Sequence, residues 1–130
     1  MKLALTLGAA ALALFATAAI AEDYVGGAIK TTEIGGKEVL VGANDMTLYT
    51  YDKDAVGVTN CYDKCAENWP PLIADAGAKP DGDFTLVDRT DGSKMWAYGG
   101  KPLYTFLKDA KGGDKTGDGA GGVWHIATED

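Results

Sequence analysis

With 130 residues, 12 basic and 19 acidic side chains and a formal charge of −7, the chain has room for one small domain. This acidic balance excludes the basic footprint that gives proteins their affinity for nucleic acid, and equally electrostatic attachment to an anionic membrane. It leaves a metal ion or an envelope protein as partner chemistry, beside simple solubility.

Residues 1–21 read as a signal peptide. Lys2 supplies a short positive start, Leu3 to Ile20 carries no charge, and Ala19-Ile20-Ala21 is a small-x-small site, so cleavage is expected after Ala21. The same run approaches the length of a membrane anchor, but it is rich in alanine and ends in a good cleavage site. The chain is therefore expected to be exported, periplasmic or secreted. The mature domain, 22–130, retains 11 basic and 19 acidic residues, a charge of −8. At this size the core is modest and a local staple would help.

Glu22 to Lys30 is expected to be a partly ordered lead-in. Thr31 to Ile34 is a short strand closed by Gly35–Gly36, and Lys37 to Gly42 a second strand with Val39 and Val41 on one face. After a turn at Asn44–Asp45, Met46 to Asp52 alternates as a third strand. Lys53 to Asn60 is a polar loop. Asn60 is placed as N-cap of a short helix over Cys61 to Asn68, stopped by Pro70 and Pro71. Leu72 and Ile73 are expected to bury the chain beyond the helix, and Ala74 to Gly82 connects two halves. Phe84 to Asp88, Lys94 to Tyr98 and Pro102 to Leu107 are strands, with Gly99–Gly100 turning the last pair. Gly112 to Gly122, six glycines in eleven residues, cannot hold a helix and is expected to be mobile when free. Val123 to Thr128 closes the domain as a strand.

An internal repeat organises this order. Leu48–Trp69 and Leu103–Trp124 superpose at a constant offset of 55 residues with nine identities in 22 positions, including both tryptophans. The fold class that follows is mainly β: a small single domain of two pseudo-repeated β-hairpin units, about 36–73 and 84–128, with one short helix around Cys61–Cys65. One hairpin alone cannot bury its apolar side, so the units are expected to pack face to face.

Tyr49-x-Tyr51-x-x-Asp54 and Tyr104-x-Phe106-x-x-Asp109 resemble the Tyr-x-(Phe/Trp/Tyr)-x-x-Asp motif of a bacterial family of secreted repeats of unknown function, or predicted lipoproteins. The C-x3-C followed by Trp69-Pro70-Pro71-Leu72 is similar to that family too, as are Gly99-Gly100-Lys101-Pro102-Leu103-Tyr104 and Gly121-Gly122-Val123-Trp124. The resemblance covers about 36–127. Many members are lipoproteins; here no cysteine stands at the junction to carry a lipid. The resemblance implies no activity.

The chemistry-bearing residues admit more than one reading. In the repeat motif, Tyr49, Tyr51, Asp54, Trp69 and their counterparts Tyr104, Phe106, Asp109, Trp124 could line a symmetric site. Alternatively the aromatics fill the core and the aspartates close the turn ending each strand, which recurrence in both units favours. Cys61 and Cys65, in an exported chain, are read as a disulfide, worth about 2 kcal/mol at most because its loop is so short. The alternative is a copper site, where the two thiolates would be joined by His125, with Met46 or Met95 as thioether ligands; a catalytic dithiol lacks the usual C-x-x-C spacing. Asp114 to Gly119 faintly resembles a calcium loop, but His125 stands where its twelfth-place glutamate belongs. With a single histidine and no nucleophile–base arrangement, the chain is expected not to be an enzyme and to need no cofactor. It is expected to be an exported binding or structural module of the cell envelope, or else a copper-binding or redox accessory protein.

Overall fold

The computed structural model describes residues 22–129; residues 1–21, on which the signal-peptide reading falls, and residue 130 lie outside the described residues. The chain is mainly β, in the order β1 (Asp23–Tyr24), β2 (Ile29–Ile34), β3 (Lys37–Gly42), β4 (Tyr49–Tyr51), α1 (Lys64–Asn68), β5 (Phe84–Asp88), β6 (Lys94–Tyr98), β7 (Lys101–Pro102) and β8 (Trp124–Ile126). Three antiparallel sheets result: β1-β2-β3, β5-β6-β7 and the pair β4-β8. The strand pairs β2/β3 and β6/β7 turn on Gly35–Gly36 and Gly99–Gly100, all four with positive φ, which a side chain would resist.

The two units do not stack as self-contained hairpins; they exchange their last segments. In the first unit Leu48 N–H donates to the Leu40 carbonyl at 3.0 Å, and Leu40 N–H in turn reaches the carbonyl of Ala127, at the far end of the second unit, at 2.9 Å. Ala127 N–H closes the circuit on the Leu48 carbonyl at 2.8 Å. The second unit repeats this with Leu103, Trp96 and Leu72, so that the end of the first unit completes the second, with all three bonds at 2.9–3.0 Å. Between the two circuits, Tyr49 and Tyr104 exchange both backbone hydrogen bonds, at 2.7 and 3.0 Å, on a pseudo-two-fold axis. Backbone groups left unpaired in a core are costly, and here each unit supplies the partners the other lacks.

Strand alternation then divides the core. Leu48 and Leu103 face one side with Ile29, Leu40, Phe84 and Trp96. Tyr49 and Tyr104 face the other with Cys61, Trp69, Met95 and Trp124. Both faces of this central ladder are buried at Leu48–Tyr49 and Leu103–Tyr104.

Several expectations are corrected. Glu22 to Lys30 is not loosely attached: Asp23–Tyr24 pairs with Ile29–Lys30, Ile29 is fully buried, and the Tyr24 ring packs 4.9 Å from Phe84. The helix begins at Lys64, and Asn60 does not cap it. The Asn60 N–H is taken by Asp54 Oδ1 at 2.7 Å and its side-chain amide by the Lys53 carbonyl at 2.8 Å, while Asp63, at φ 55°, ψ −122°, interrupts the helical path. Cys61 therefore lies before the helix and not on it. Ile73 remains 50% exposed, because alternation turns Leu72 inward. Met46 to Asp52, Pro102 to Leu107 and Val123 to Thr128 are regular only over Tyr49–Tyr51, Lys101–Pro102 and Trp124–Ile126. Beyond those, single bridges at Tyr104 and Thr128 follow the exchange between units, while Thr47 bridges Val41 within the first unit.

Candidate functional site

The repeat motif assembles at the pseudo-two-fold axis, and each tyrosine serves the other unit's aspartate. Tyr49 Oη donates to Asp109 Oδ2 at 2.7 Å, and Tyr104 Oη donates to Asp54 Oδ2 at 2.6 Å. The second carboxylate oxygens close local turns: Asp54 Oδ1 accepts from Asn60 N–H, and Asp109 Oδ1 accepts from the Thr116 N–H and hydroxyl at 3.0 and 2.5 Å. Burial, reinforced by the Asp109 hydrogen bond, pushes the Tyr49 hydroxyl far above its ordinary range. Burial and the Asp54 bond do the same to Tyr104. Burial also raises Asp54, against the opposing hydrogen bonds from Tyr104 and Asn60 and the positive charge of Arg89.

Four rings stack beside these pairs. Phe106 lies on Trp69 at 4.0 Å, Trp69 on Trp124 at 3.8 Å with planes 3° apart, and Trp124 on Tyr51 at 4.2 Å. Tyr49 and Tyr104 meet Trp69 and Trp124 edge-on, both at 5.2 Å. Rings alternate between the units along the stack, and offset and edge-on geometry adds about 0.5–1.5 kcal/mol per pair beyond area burial. Among the described residues no buried side-chain nitrogen or oxygen lacks a hydrogen-bond partner.

The remaining candidates are dispersed. Cys61, fully buried, and Cys65, half-buried, form a disulfide with Cα atoms 5.2 Å apart. Met95 shares the buried cluster with Cys61. His125 instead stands opposite Thr50 on the β4-β8 pair, its Nε2 2.8 Å from Asp52 Oδ2, half-exposed in a cleft of about 370 Å³ with Tyr98, Lys101 and Thr128. Met46 sits at the turn after β3, its N–H on Asn44 Oδ1. Among the described residues, no group of three or more His, Cys, Asp and Glu is arranged to hold a metal ion. The calcium-like loop spends its oxygens locally: Asp114 Oδ2 accepts the N–H groups of Ala110 and Lys111, and Asp118 Oδ1 that of Ile126. The glycine-rich loop is tied to the domain at Asp109, at the Asp114 carbonyl, which accepts from Thr47 Oγ1 at 2.6 Å, and at Asp118.

Three participants escaped the reading of the sequence. Thr59, buried, bonds Tyr104 Oη at 2.6 Å. Gly117 donates its N–H to Tyr49 Oη at 3.2 Å and lies under the ring stack. Arg89 is the sole arginine of the chain and the one basic side chain among the buried polar residues described. Its scarcity was the one signal that could have pointed to it.

A family model described as a secreted repeat of unknown function matches residues 30–73 and 85–128, and the chain belongs to that family. The two matched segments are the two interlocked units. Comparison with curated proteins and with solved structures finds no match. The chain is thus an exported protein built of two copies of a secreted repeat.

Proposed function

We propose that the mature chain, released after Ala21 into the periplasm or beyond, is a non-catalytic module of the cell envelope. It acts by binding or scaffolding and needs no cofactor. The observation supporting this reading is that the repeat motif is consumed internally: each Tyr–Asp pair satisfies the other unit, and the tryptophans stack on each other. Catalytic groups, by contrast, stand exposed to a substrate with some hydrogen-bonding capacity free. The partner is an envelope protein or a cation, in keeping with the acidic surface.

The test is fractionation of cells making the full chain, with N-terminal sequencing of the product and a broad substrate panel. Export, a mature terminus at Glu22 and no turnover are expected; turnover that vanishes in His125→Ala would overturn the reading. The copper alternative needs both sulfurs as thiolates. Metal content and thiol count on the exported chain decide it: no metal and no free thiol are expected, whereas stoichiometric copper with two thiols would replace this proposal.

A further inference from the structure

We infer that Cys61–Cys65 is a thiol–disulfide exchange site, opened by an external dithiol reductase of thioredoxin type through attack at Cys65. This inference goes beyond the envelope-module reading and does not depend on it.

Four observations carry the inference. The first is that the fold does not need the bridge. At the repeat offset, Thr116 and Ala120 occupy the places of Cys61 and Cys65, and the second unit closes the equivalent turn through Thr116 on Asp109 with no disulfide. The first unit has its own closures as well, Asn60 on Asp54 before the bridge and Trp69 N–H on the Cys65 carbonyl after it.

The second is the backbone between the sulfurs. Asp63 sits at φ 55°, ψ −122°, a conformation that side chains resist, and opening the ring would release it.

The third is the asymmetry of the pair. Cys65 is half-buried and can be approached, whereas Cys61 is wholly enclosed. Cys65 alone of the two keeps exposed surface, so an attacking thiolate approaches from its side.

The fourth is Arg89, buried with no ion-pair partner among the described residues. Its Nη2 donates to the Cys61 carbonyl at 3.2 Å, its Nη1 contacts Met95 Sδ at 3.6 Å, and its guanidinium lies 4.5 Å from the centre of the Tyr62 ring. The guanidinium is thus held on the backbone of Cys61, and its charge, which also acts on Asp54, favours negative charge on the leaving group when Cys65 is attacked.

The exchange balances. The reductase thiolate bonds to Cys65 Sγ, the Cys61–Cys65 bond breaks, and its electron pair leaves on Cys61. The second reductase thiol, deprotonated, then attacks the reductase sulfur of the mixed disulfide and expels Cys65 as thiolate. The reductase ends as a disulfide, and Cys61 and Cys65 have gained two electrons, with protons taken from solvent as each thiolate requires. A chain of bonds from Cys61 N–H to Thr59 Oγ1, at 3.3 Å, and on to Tyr104 Oη and Asp54 connects the opened loop to the lock between the units.

The experiment uses the full exported chain with reduced thioredoxin as probe, followed by maleimide mass shift and near-ultraviolet circular dichroism. Two thiols should appear while the fold persists, and a thioredoxin variant lacking its resolving cysteine should be trapped on Cys65. Arg89→Gln should shift the exchange equilibrium toward the disulfide by roughly tenfold, with Arg89→Lys restoring most of it. Thiols that appear only on unfolding, trapping on Cys61, or exchange unaltered in folded Arg89→Gln would each overturn the inference. Should Arg89→Gln not fold, thiolate absorbance of the reduced parent decides. Half-titration of the first thiol below the ordinary value of about 8.5 supports the inference, and half-titration at or above that value refutes it.

Discussion

Replacing Gly117 by alanine isolates the packing of the ring stack from every other effect. Gly117 is not among the glycines with positive φ, so its backbone accepts an alanine without strain. The added Cβ would instead stand 2.5 Å from Trp69 Cη2, 2.8 Å from Phe106 Cδ2 and 2.9 Å from Trp69 Cζ3. These atoms belong to the first two rings of a four-ring stack, and moving Trp69 carries Trp124 and Tyr51 with it. Overpacking of a tight core costs about 1–3 kcal/mol, and two clashing rings place this one near about 3 kcal/mol. For a domain of the 108 described residues, at about 4 °C per kcal/mol, the melting temperature should fall by about 12 °C. The assay is thermal melting by far-ultraviolet circular dichroism, with the near-ultraviolet tryptophan signal recorded alongside. Gly113→Ala, at φ +89° with open space around it, is the control: about 1 kcal/mol of backbone cost and an unchanged tryptophan signal. A Gly117→Ala protein that melts within about 2 °C of the parent, under 0.5 kcal/mol, would refute close packing of Trp69 and Phe106 over Gly117.

The cross-unit pairs make further demands. Asp54→Ala and Asp109→Ala should each cost about 1–3 kcal/mol, since each removes a buried charge-assisted hydrogen bond between the units and Asp109→Ala leaves the Tyr49 O–H without an acceptor; unchanged melting accompanied by loss of a binding activity would reassign the aspartates to a site. Tyr49 and Tyr104 have folded-state values raised above the ordinary 10.0, so their contribution is whole below pH 10 and is lost as pH rises beyond it. In difference titrations at 295 nm against Tyr49→Phe and Tyr104→Phe, their ionisation should coincide with loss of circular dichroism; ionisation near pH 10 with the fold intact would contradict this. Asp54 is also raised, from 3.8, so its contribution is whole below 3.8 and is lost as pH rises through the folded-state value. The stability difference between parent and Asp54→Asn should therefore move in favour of the parent as pH falls from 7 toward 4, and movement the other way would reverse the assignment.

What could be read from the sequence was local. Phe84–Asp88 and Lys94–Tyr98 are strands with the bounds that alternation and flanking glycines imply, and the cysteines of an exported chain pair as their compartment suggests. The unreadable part was non-local. Asp54 lies five residues from Tyr49, so each motif looked self-sufficient, yet Tyr49 bonds Asp109, 60 residues away. Nothing in a repeat tells whether its copies close on themselves or on each other. Ile29 was hidden in a segment expected to be a partly ordered lead-in, where Gly26–Gly27 in fact turn β1 back onto β2. Gly117 was indistinguishable from its loop neighbours, because its role is space under Trp69 and not backbone freedom. Asn60 has the composition of a cap, but Asp54 and Lys53 compete for it and hold it in the loop.

The motif locks two exchanged units into one cooperative body. Native-state hydrogen exchange of parent and Asp54→Ala tests it most directly, because the amides of the two circuits report each unit separately. Interlocking predicts that protection at Leu40 and Leu48 in the first unit and at Trp96 and Leu103 in the second falls by the same free energy, about 1–3 kcal/mol. Loss confined to the unit that carries Asp54, with the other unit's amides as protected as before, would contradict it.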